Sequence, residues 1–259
     1  MATDSRAGSA KSMSCSMVRV PVESATCLVT RCTTMMGSDI GLSVPTRRAF
    51  AVHCSVLALL ALGAPAAPVH AQGARPTILV VGDSLSAEYG IPRGSGWVAL
   101  LEQRLAEQKP AYRVVNASIS GDTTSGGRSR LPALLTQHRP KVVVIALGGN
   151  DALRGLPLDM TQANLTEMAR AAQAAGAKVL IAGIAVPPNY GRKYGEDFVR
   201  LFGTVAKAQG AALVPFLLAG VADGPDADEM FQPDRIHPKA QAHPRMLDNV
   251  WGVLKPLLR

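Results

Sequence analysis

Cysteine is scarce in this chain of 259 residues, and its distribution excludes several kinds of chemistry. The four cysteines are Cys15, Cys27, Cys32 and Cys54, so none occurs in the last 205 residues. A protein made of the later residues alone has no thiol for a disulfide, a cysteine nucleophile or a Cys-ligated metal. A domain of roughly 190 residues is large enough to bury one core without disulfides.

Runs of like charge and aromatic residues are also few. The part from Gly73 onward carries 21 Lys and Arg against 16 Asp and Glu, a net charge of +5 that is spread without a basic run. Aromatic residues make up 4% of the chain and do not alternate with the basic ones. A nucleic-acid binding surface needs clustered positive charge. We therefore expect no nucleic-acid partner.

The N-terminal segment is predicted to contain a leader and an export signal. Residues 1–45 have no helical or strand period, which is also typical of a start codon placed too far upstream. Residues 46–71 hold a basic pair (Arg47 and Arg48), an apolar core and small residues before a cleavage point after Ala71. The arginine pair leaves open Sec or twin-arginine export. The apolar core is too short for a bilayer, so we expect an unanchored periplasmic or secreted protein.

In the domain, residues 73–259, short apolar runs alternate with helical patterns. Most of these runs are continuous, as expected for parallel strands covered on both faces. The predicted strands span residues 77–81, 112–117, 141–147, 178–184 and 212–214. Apolar spacings of three and four predict helices over 97–108, 127–138, 160–175, 196–209 and 241–258. This order predicts one α/β domain, a three-layer α/β/α sandwich around a five-stranded parallel sheet, with a long loop over 222–235.

Polar residues follow every predicted strand. Gly82-Asp83-Ser84 follows the first strand, "SISGDTTSGG" the second, "LGGNDALRG" the third and "AVPPNYGRKYG" the fourth, while "FQPDRIHPKA" ends the long loop after the fifth. Because the carboxyl ends of parallel strands meet at one edge of the sheet, we expect the functional site there.

A serine nucleophile needs a base, and the base needs an orienting group. The domain has three histidines: His138 lies at a helix end, and His243 lies in the last helical pattern. Only His237 has a carboxylate, Asp234, three residues before it, and Pro238 favours an extended backbone at the histidine. A tight turn would let Asp234 accept the Nδ1 proton. An ordinary surface loop with an unconnected Asp and His stays equally open.

Acyl transfer also requires hydrogen-bond donors for an oxyanion. The candidates are the backbone N–H groups of Ser84 and Gly121 and the side-chain amide of Asn150. Glycine suits this role because no side chain shields its N–H, whereas Asn150 has the alternative of a turn residue. The neighbouring Asp122 and Asp151 are expected to cap turns. The GxSxG elbow is absent, which excludes the α/β-hydrolase version of this chemistry.

The segments "GDSLS", "SGDTTSGG", "LGGND" and "DRIHP" resemble, in this order, the four blocks of the SGNH, or GDSL, hydrolases. "NASISGDTTSGG", "ALGGNDALRG" and "PPNYGRKY" resemble the subgroup that contains bacterial multifunctional acyl-CoA thioesterase I / lysophospholipase L1 and the related arylesterases. The resemblance covers nearly all of the chain from Thr77 onward. It implies a flavodoxin-like sandwich. One position departs from the pattern: Arg235 stands where members often carry a small residue, commonly glycine.

The resemblance also implies the site. Ser84 would be the nucleophile, Asp234 and His237 would complete a triad, and Gly121 and Asn150 would form the oxyanion hole together with the Ser84 N–H. The implied reaction is two-step hydrolysis of a small-molecule ester or acyl thioester, with no metal or other cofactor. In the subgroup, the loop after the asparagine block shifts over the acyl chain, and by position this would be 152–158.

The acyl pocket and three other functions remain open at this point. Apolar residues expected at the same edge are candidates for an acyl pocket: Leu85, Ile91, Leu153, Leu156, Pro187, Tyr190 and Phe231. A carbohydrate O-acetylesterase would use the same fold and machinery. A non-catalytic binding module would keep only the fold. A metallophosphoesterase is disfavoured, because three scattered histidines supply few metal ligands. The oligomeric state is open.

Overall fold

A computed structural model describes residues 75–108 and 111–258, so the predicted leader (1–45) and export signal (46–71) lie outside the described residues. Five parallel strands form one sheet in the order β2-β1-β3-β4-β5. The strands are β1 Thr77–Gly82, β2 Arg113–Asn116, β3 Val142–Ala146, β4 Lys178–Ala182 and β5 Ala212–Val214. The predicted fold class and all five strands are confirmed, with bounds that differ by at most two residues.

Helices connect the strands and cover both faces of the sheet. They are α1 Trp97–Ala106, α2 Thr124–His138, α3 Gly149–Leu153, α4 Leu158–Ala174, α5 Arg192–Gln209, α6 Ala227–Met230 and α7 His243–Leu254. Short 3₁₀ turns occupy Pro188–Tyr190, Ala240–Ala242 and Lys255–Leu258. Two expectations were wrong. The last helix is shorter than predicted because 3₁₀ turns flank it, and the predicted loop 222–235 contains α6.

The sheet separates two apolar layers because side chains alternate along each strand. In β1, Ile78 and Val80 belong to one layer, and Leu79 and Val81 belong to the other; none is exposed. The first layer is completed by α1 and α7, chiefly through Trp97, Leu101, Met246 and Val250. The second is completed by α2, α4 and α5, chiefly through Leu131, Leu165, Met168, Phe198 and Phe202. Each fully buried side chain of this size contributes about 1.5–3 kcal/mol.

A glycine at the end of β3 lets α5 pack against the sheet. Gly148 has φ +124°, and a Cβ there would lie 3.1 Å from the Phe202 ring. Phe202 meets Phe198 edge to face with ring centroids 5.2 Å apart, a favourable aromatic geometry. The backbone therefore turns directly from the buried strand into α3, which carries Asn150.

The N-terminus of α1 is joined to α7 through a buried histidine. The backbone N–H of Trp97 donates to Nδ1 of His243 over 3.0 Å. Burial lowers the pKa of His243 to about 4, against the opposing effects of the Glu88 charge and a hydrogen bond to the Pro238 backbone. A neutral imidazole thus caps α1, a role that the sequence pattern did not suggest. Within residues 75–108 and 111–258, no helix has both the length and the apolar character needed to cross a bilayer.

Candidate active site

Ser84 lies in a tight turn directly after β1. The carbonyl of Asp83 accepts hydrogen bonds from the N–H groups of Ser86 and Ala87 over 3.1 and 3.0 Å, so the chain leaves the strand in a helical turn. Gly82, the last residue of β1, has no room for a side chain: a Cβ would lie 2.8 Å from Ser86 Oγ. The strand therefore ends in glycine because the turn that follows folds back onto it.

Ser84, His237 and Asp234 form a continuous hydrogen-bonded chain. His237 Nε2 lies 2.8 Å from Ser84 Oγ, although the two residues are 153 positions apart. On the other side of the ring, Nδ1 lies 2.6 Å from Asp234 Oδ2. Asp234 Oδ1 accepts the backbone N–H groups of Ile236 and His237, each over 3.0 Å. Burial acts to raise the pKa of Asp234, but these hydrogen bonds, chiefly from His237, lower it to about 2. The carboxylate is therefore ionised over the whole range in which proteins usually work.

The segment that carries His237 is a small hairpin. Phe231 and Pro238 pair as an antiparallel bridge, and the Gln232 N–H donates to the His237 carbonyl over 2.8 Å. Arg235 lies in the turn with φ +56°, and its N–H donates to the Gln232 carbonyl. This left-handed conformation favours glycine, which gives a physical reason for the glycine common at this position in the family. Arginine adopts it here without breaking the turn.

Gly121 lies in the loop after β2, and Asn150 lies in α3, which follows β3. Asn150 Nδ2 donates to the Asp122 carbonyl over 2.9 Å, and it lies 3.4 Å from Asp83 Oδ2, a weak contact. Burial raises the pKa of Asp83 to about 6, against the opposing hydrogen bond from the Leu85 N–H. Gly121 has φ +78°, again a conformation that suits glycine. One amide proton of Asn150 is therefore firmly held, and the other is only loosely held.

The sequence did not indicate the two residues, Arg154 and Asp83, that contact Gly121 and Asn150. The Arg154 guanidinium donates to the Gly121 carbonyl over 2.8 Å and so restrains the peptide that follows. The buried Asp83 carboxyl lies beside the Asn150 amide. A motif aspartate after a strand is usually a turn residue, and an arginine in a loop is usually a surface charge. Neither pattern carried a signal that could have assigned these contacts.

Asp151, next to Asn150, was expected to cap a turn, and it caps the N-terminus of the distant helix α2 instead. Its carboxylate is fully buried. It accepts the backbone N–H of Thr124, the first residue of α2, over 2.8 Å, and it also accepts the hydroxyls of Thr124 and Thr161. Asn164 donates in turn to the Thr124 hydroxyl over 3.0 Å. One carboxylate thus joins the loop of Gly121 to the loop of Asn150.

Asp122 pairs with a cation. Its Oδ2 accepts from Arg130 at 2.8 Å, and its Oδ1 accepts the Thr123 N–H at 3.0 Å. Arg130 also donates to the Ala117 carbonyl. The carboxylates of Asp122 and Asp151, which neighbour Gly121 and Asn150 in the sequence, therefore have their own partners. Over residues 75–108 and 111–258, no group of three or more His, Cys, Asp or Glu side chains is placed to share a metal ion.

The residues predicted for an acyl pocket lie in different surroundings. Leu85 and Phe231 are half-buried and pack against the layer formed by α1 and α7. Ile91, Leu153 and Leu156 are half-buried near the carboxyl edge of the sheet. Their role in holding an acyl chain stays a prediction.

The last two of these residues follow β4. Tyr190 stacks on Tyr194 with ring centroids 6.5 Å apart. Pro187 lines a groove of about 590 Å³, whose other lining residues include Arg192 and Val199 of α5. Neither Ser84 nor His237 lines this groove.

Similarity to known proteins agrees with this geometry. The sequence profile of the GDSL-like Lipase/Acylhydrolase family matches residues 80–245. The chain belongs to this family. Esterase TesA of Pseudomonas aeruginosa is 56% identical over 187 residues, which cover 72% of this chain and 92% of that protein. Thioesterase 1/protease 1/lysophospholipase L1 of Escherichia coli K12 is 41% identical over 185 residues, which cover 71% of this chain and 86% of that protein.

A solved structure supports the same conclusion. The crystal structure of TesA matches with a TM-score of 0.67 and 56% identity, over 70% of this chain and 99% of that chain. The family and subgroup predicted from the sequence blocks are confirmed. The protein is an ester hydrolase of the GDSL family.

Proposed function

We propose that this protein is an exported serine esterase that hydrolyses carboxylic esters and thioesters through an acyl-enzyme on Ser84. The observation that carries the proposal is the pair of short hydrogen bonds from Asp234 through His237 to Ser84, 2.6 and 2.8 Å long. These are the distances at which a proton can pass between heavy atoms. The order of groups is that of a nucleophile, a base and an orienting carboxylate.

The reaction begins when Ser84 Oγ attacks the substrate carbonyl carbon and His237 Nε2 takes the hydroxyl proton. The carbonyl electrons move to oxygen, and the ionised Asp234 stabilises the imidazolium and holds the ring by its Nδ1–H. The intermediate collapses, the bond to the alcohol or thiol breaks, and His237 returns the proton to the leaving group. Water then repeats these steps on the acyl-enzyme and releases the acid and free Ser84.

Three donors serve the oxyanion in this proposal: the N–H of Ser84, the N–H of Gly121 and the Asn150 amide. The amide suits the role because its contact with Asp83, at 3.4 Å, is long enough to give way to a stronger acceptor. Its other proton stays on the Asp122 carbonyl at 2.9 Å, which fixes the amide plane. A donor held before the reaction starts needs no reorganisation in the transition state.

Substrate class and export are further parts of the proposal. The relatives are named as an esterase and as a thioesterase and lysophospholipase, so acyl esters and acyl thioesters are the substrates that we propose. The seven candidate acyl-pocket residues and the segment 152–158 are where chain-length preference should be set. The basic pair, apolar core and small residues of 46–71 support export.

An ester assay on purified protein tests the catalytic part. With a series of p-nitrophenyl esters from acetate to octanoate, we expect wild type to be active. Ser84→Ala should lose at least about 10³-fold in kcat, and Ser125→Ala, which changes an exposed serine on α2, should stay near wild type. EDTA should leave the rate unchanged. Activity of Ser84→Ala close to that of wild type, or loss of wild-type activity with EDTA, would refute the proposed mechanism.

Export is tested separately in a Gram-negative host that expresses the full chain. We expect the esterase activity in the periplasm or the medium, with a mature N-terminus at Gln72. Replacing Arg47 and Arg48 by lysines should block export if the twin-arginine route is used and should have little effect on Sec export. An uncleaved chain that stays in the cytoplasm would contradict this part alone.

A further inference from the structure

Gln232 bridges the two chain segments that bring Ser84 and His237 together. Its side-chain Nε2 donates to the carbonyl of Tyr89 over 2.9 Å and to the carbonyl of Pro238 over 3.2 Å. Tyr89 belongs to the turn that begins at Ser84, and Pro238 directly follows His237. The two bonds therefore tie the nucleophile's segment to the base's segment at a point outside the reacting atoms.

The surroundings of Gln232 restrict it to this position. Its own backbone N–H donates to the His237 carbonyl over 2.8 Å, and its carbonyl accepts the Arg235 N–H over 2.9 Å. Gly90, which follows Tyr89, has φ +69°. A Cβ at this residue would lie 2.2 Å from Gln232 Oε1. The side chain thus occupies a space that exists only because residue 90 has no side chain.

Tyr89 adds a second contact between the segment that carries Ser84 and the segment that carries His237. Its ring centroid lies 4.4 Å from that of His237, with the planes inclined by 41°. The tyrosine is 50% exposed, so its ring covers the imidazole on the solvent side and is not part of the core. The carbonyl of this tyrosine accepts the Gln232 amide. The amide bridge therefore also holds the backbone of the residue whose ring rests on the base.

The arms of the hairpin are held by the Phe231–Pro238 bridge and by backbone hydrogen bonds, but its turn is exposed. Residues 233–236, which include the orienting Asp234, are all exposed. An exposed loop with few apolar contacts opens locally more easily than the core does. A displacement of about 1 Å between reacting groups is enough to cost about 10²-fold in rate. Restraint of this hairpin against the Ser84 turn is therefore a requirement for activity.

We propose that Gln232 is a positioning residue that sets the distance between His237 and Ser84, and that Tyr89 and Gly90 form the surface against which it does so. This inference rests on the proposed function of Ser84 and His237. Gln232 does not touch the reacting atoms in the geometry described above. Its loss should slow proton transfer without changing how the substrate binds, so kcat should fall while KM stays constant.

The principal test is Gln232→Met, which keeps the length of the side chain and removes both donors. With a p-nitrophenyl ester we expect kcat to fall about 10- to 100-fold and KM to stay within about twofold. The matched control is Gln241→Met. Gln241 also donates its amide to a backbone carbonyl, that of Glu229 at 3.3 Å, but it does not join the two segments. The control should keep wild-type kcat, and thermal unfolding checks that both variants are folded.

A second variant reaches the same contact from the other side. Gly90→Ala places a methyl group where Gln232 Oε1 now lies, so it should also lower kcat at constant KM. In a background of Gln232→Ala that contact is absent and only the backbone strain of alanine at φ +69° remains, so the same change at Gly90 should lower kcat less than it does in the wild type. Such non-additivity indicates that the two residues act through one contact. Additive losses in kcat would overturn the proposal.

Ser84→Ala in the same assay separates the two hypotheses. If Ser84→Ala is active, the proposed function fails and the positioning role fails with it. If Ser84→Ala is inactive but Gln232→Met matches Gln241→Met in kcat, only the positioning role is overturned. A rise in KM at unchanged kcat for Gln232→Met would also overturn it, because that result assigns the side chain to substrate binding.

Discussion

Two buried titratable groups should make opposite contributions to stability in acid. Asp83 is 4% exposed, and burial raises its pKa from 3.8 to about 6. His243 is 2% exposed, and burial lowers its pKa from 6.5 to about 4. Burial penalises the charged form in both cases, which is the carboxylate for Asp83 and the imidazolium for His243.

The sign of each contribution follows from which state binds the proton more tightly. Folded Asp83 takes up its proton near pH 6 and unfolded Asp83 near 3.8, so this group adds stability as the pH falls through 6. Unfolded His243 takes up its proton near pH 6.5 and the folded form only near 4, so this group's contribution is lost as the pH falls over that interval. At about 1.4 kcal/mol per pH unit, each contribution is about 3 kcal/mol. In the wild type the two nearly cancel.

A substitution at Asp83 or at His243 removes one of these two contributions and should make the other one measurable. Between pH 7 and pH 4, we expect the free energy of unfolding of His243→Asn to rise by about 2–3 kcal/mol relative to wild type. That of Asp83→Asn should fall by a similar amount. Asparagine at 243 keeps an acceptor for the Trp97 N–H, and at 83 it keeps one for the Leu85 N–H.

Urea unfolding of the three proteins at both pH values measures these differences. The effects of carboxylates that all three proteins share cancel in the comparison. If wild type and both variants change in parallel between pH 7 and pH 4, the buried groups do not titrate as described and the reasoning is refuted.

Three further outcomes follow from the packing and the site. Asn150→Ala should lower kcat by about 10²- to 10³-fold with a small change in KM, measured by steady-state kinetics; an unchanged kcat would exclude the amide as an oxyanion donor. Phe202→Ala should cost about 3–5 kcal/mol in the free energy of unfolding, because the ring is 1% exposed; a urea titration that finds less than 1 kcal/mol would contradict its placement. Asp151→Ala should cost about 2 kcal/mol or more, since Thr124 and Thr161 lose a buried acceptor, and an unchanged unfolding midpoint would contradict that network.

The strands and the location of the site could be predicted because both depend on local pattern. A strand buried on both faces must be apolar throughout, as residues 142–146 are, and the polar residues after each strand must lie at one edge of a parallel sheet. Ser84, Asp234 and His237 were joined into one site only by the resemblance of four sequence blocks to a family, because the residues alone left an unconnected Asp and His equally open. Composition and order were sufficient for the strands and for the edge of the sheet at which the polar residues meet.

The missed features depend on contacts between distant segments. Gln232 meets Tyr89 across 143 positions, and His243 caps α1 across 146. A glutamine in a loop and a histidine in a helix give no local sign of such roles. The helix α3 is only five residues long, too short for a period to be recognised. Asp151 is buried by α2 and α4, whose approach no local pattern encodes.

The parallel sheet has a practical consequence for attaching the enzyme to a solid support. The turns over 139–141, 175–177 and 210–211, which lead from helices into strands, lie at the edge opposite Ser84, and Ala208 is an exposed residue in the last turn of α5. After removal of residues 1–71 the protein would contain no cysteine. Ala208→Cys would then supply a single coupling point, and an immobilised layer would present its serine uniformly to the liquid.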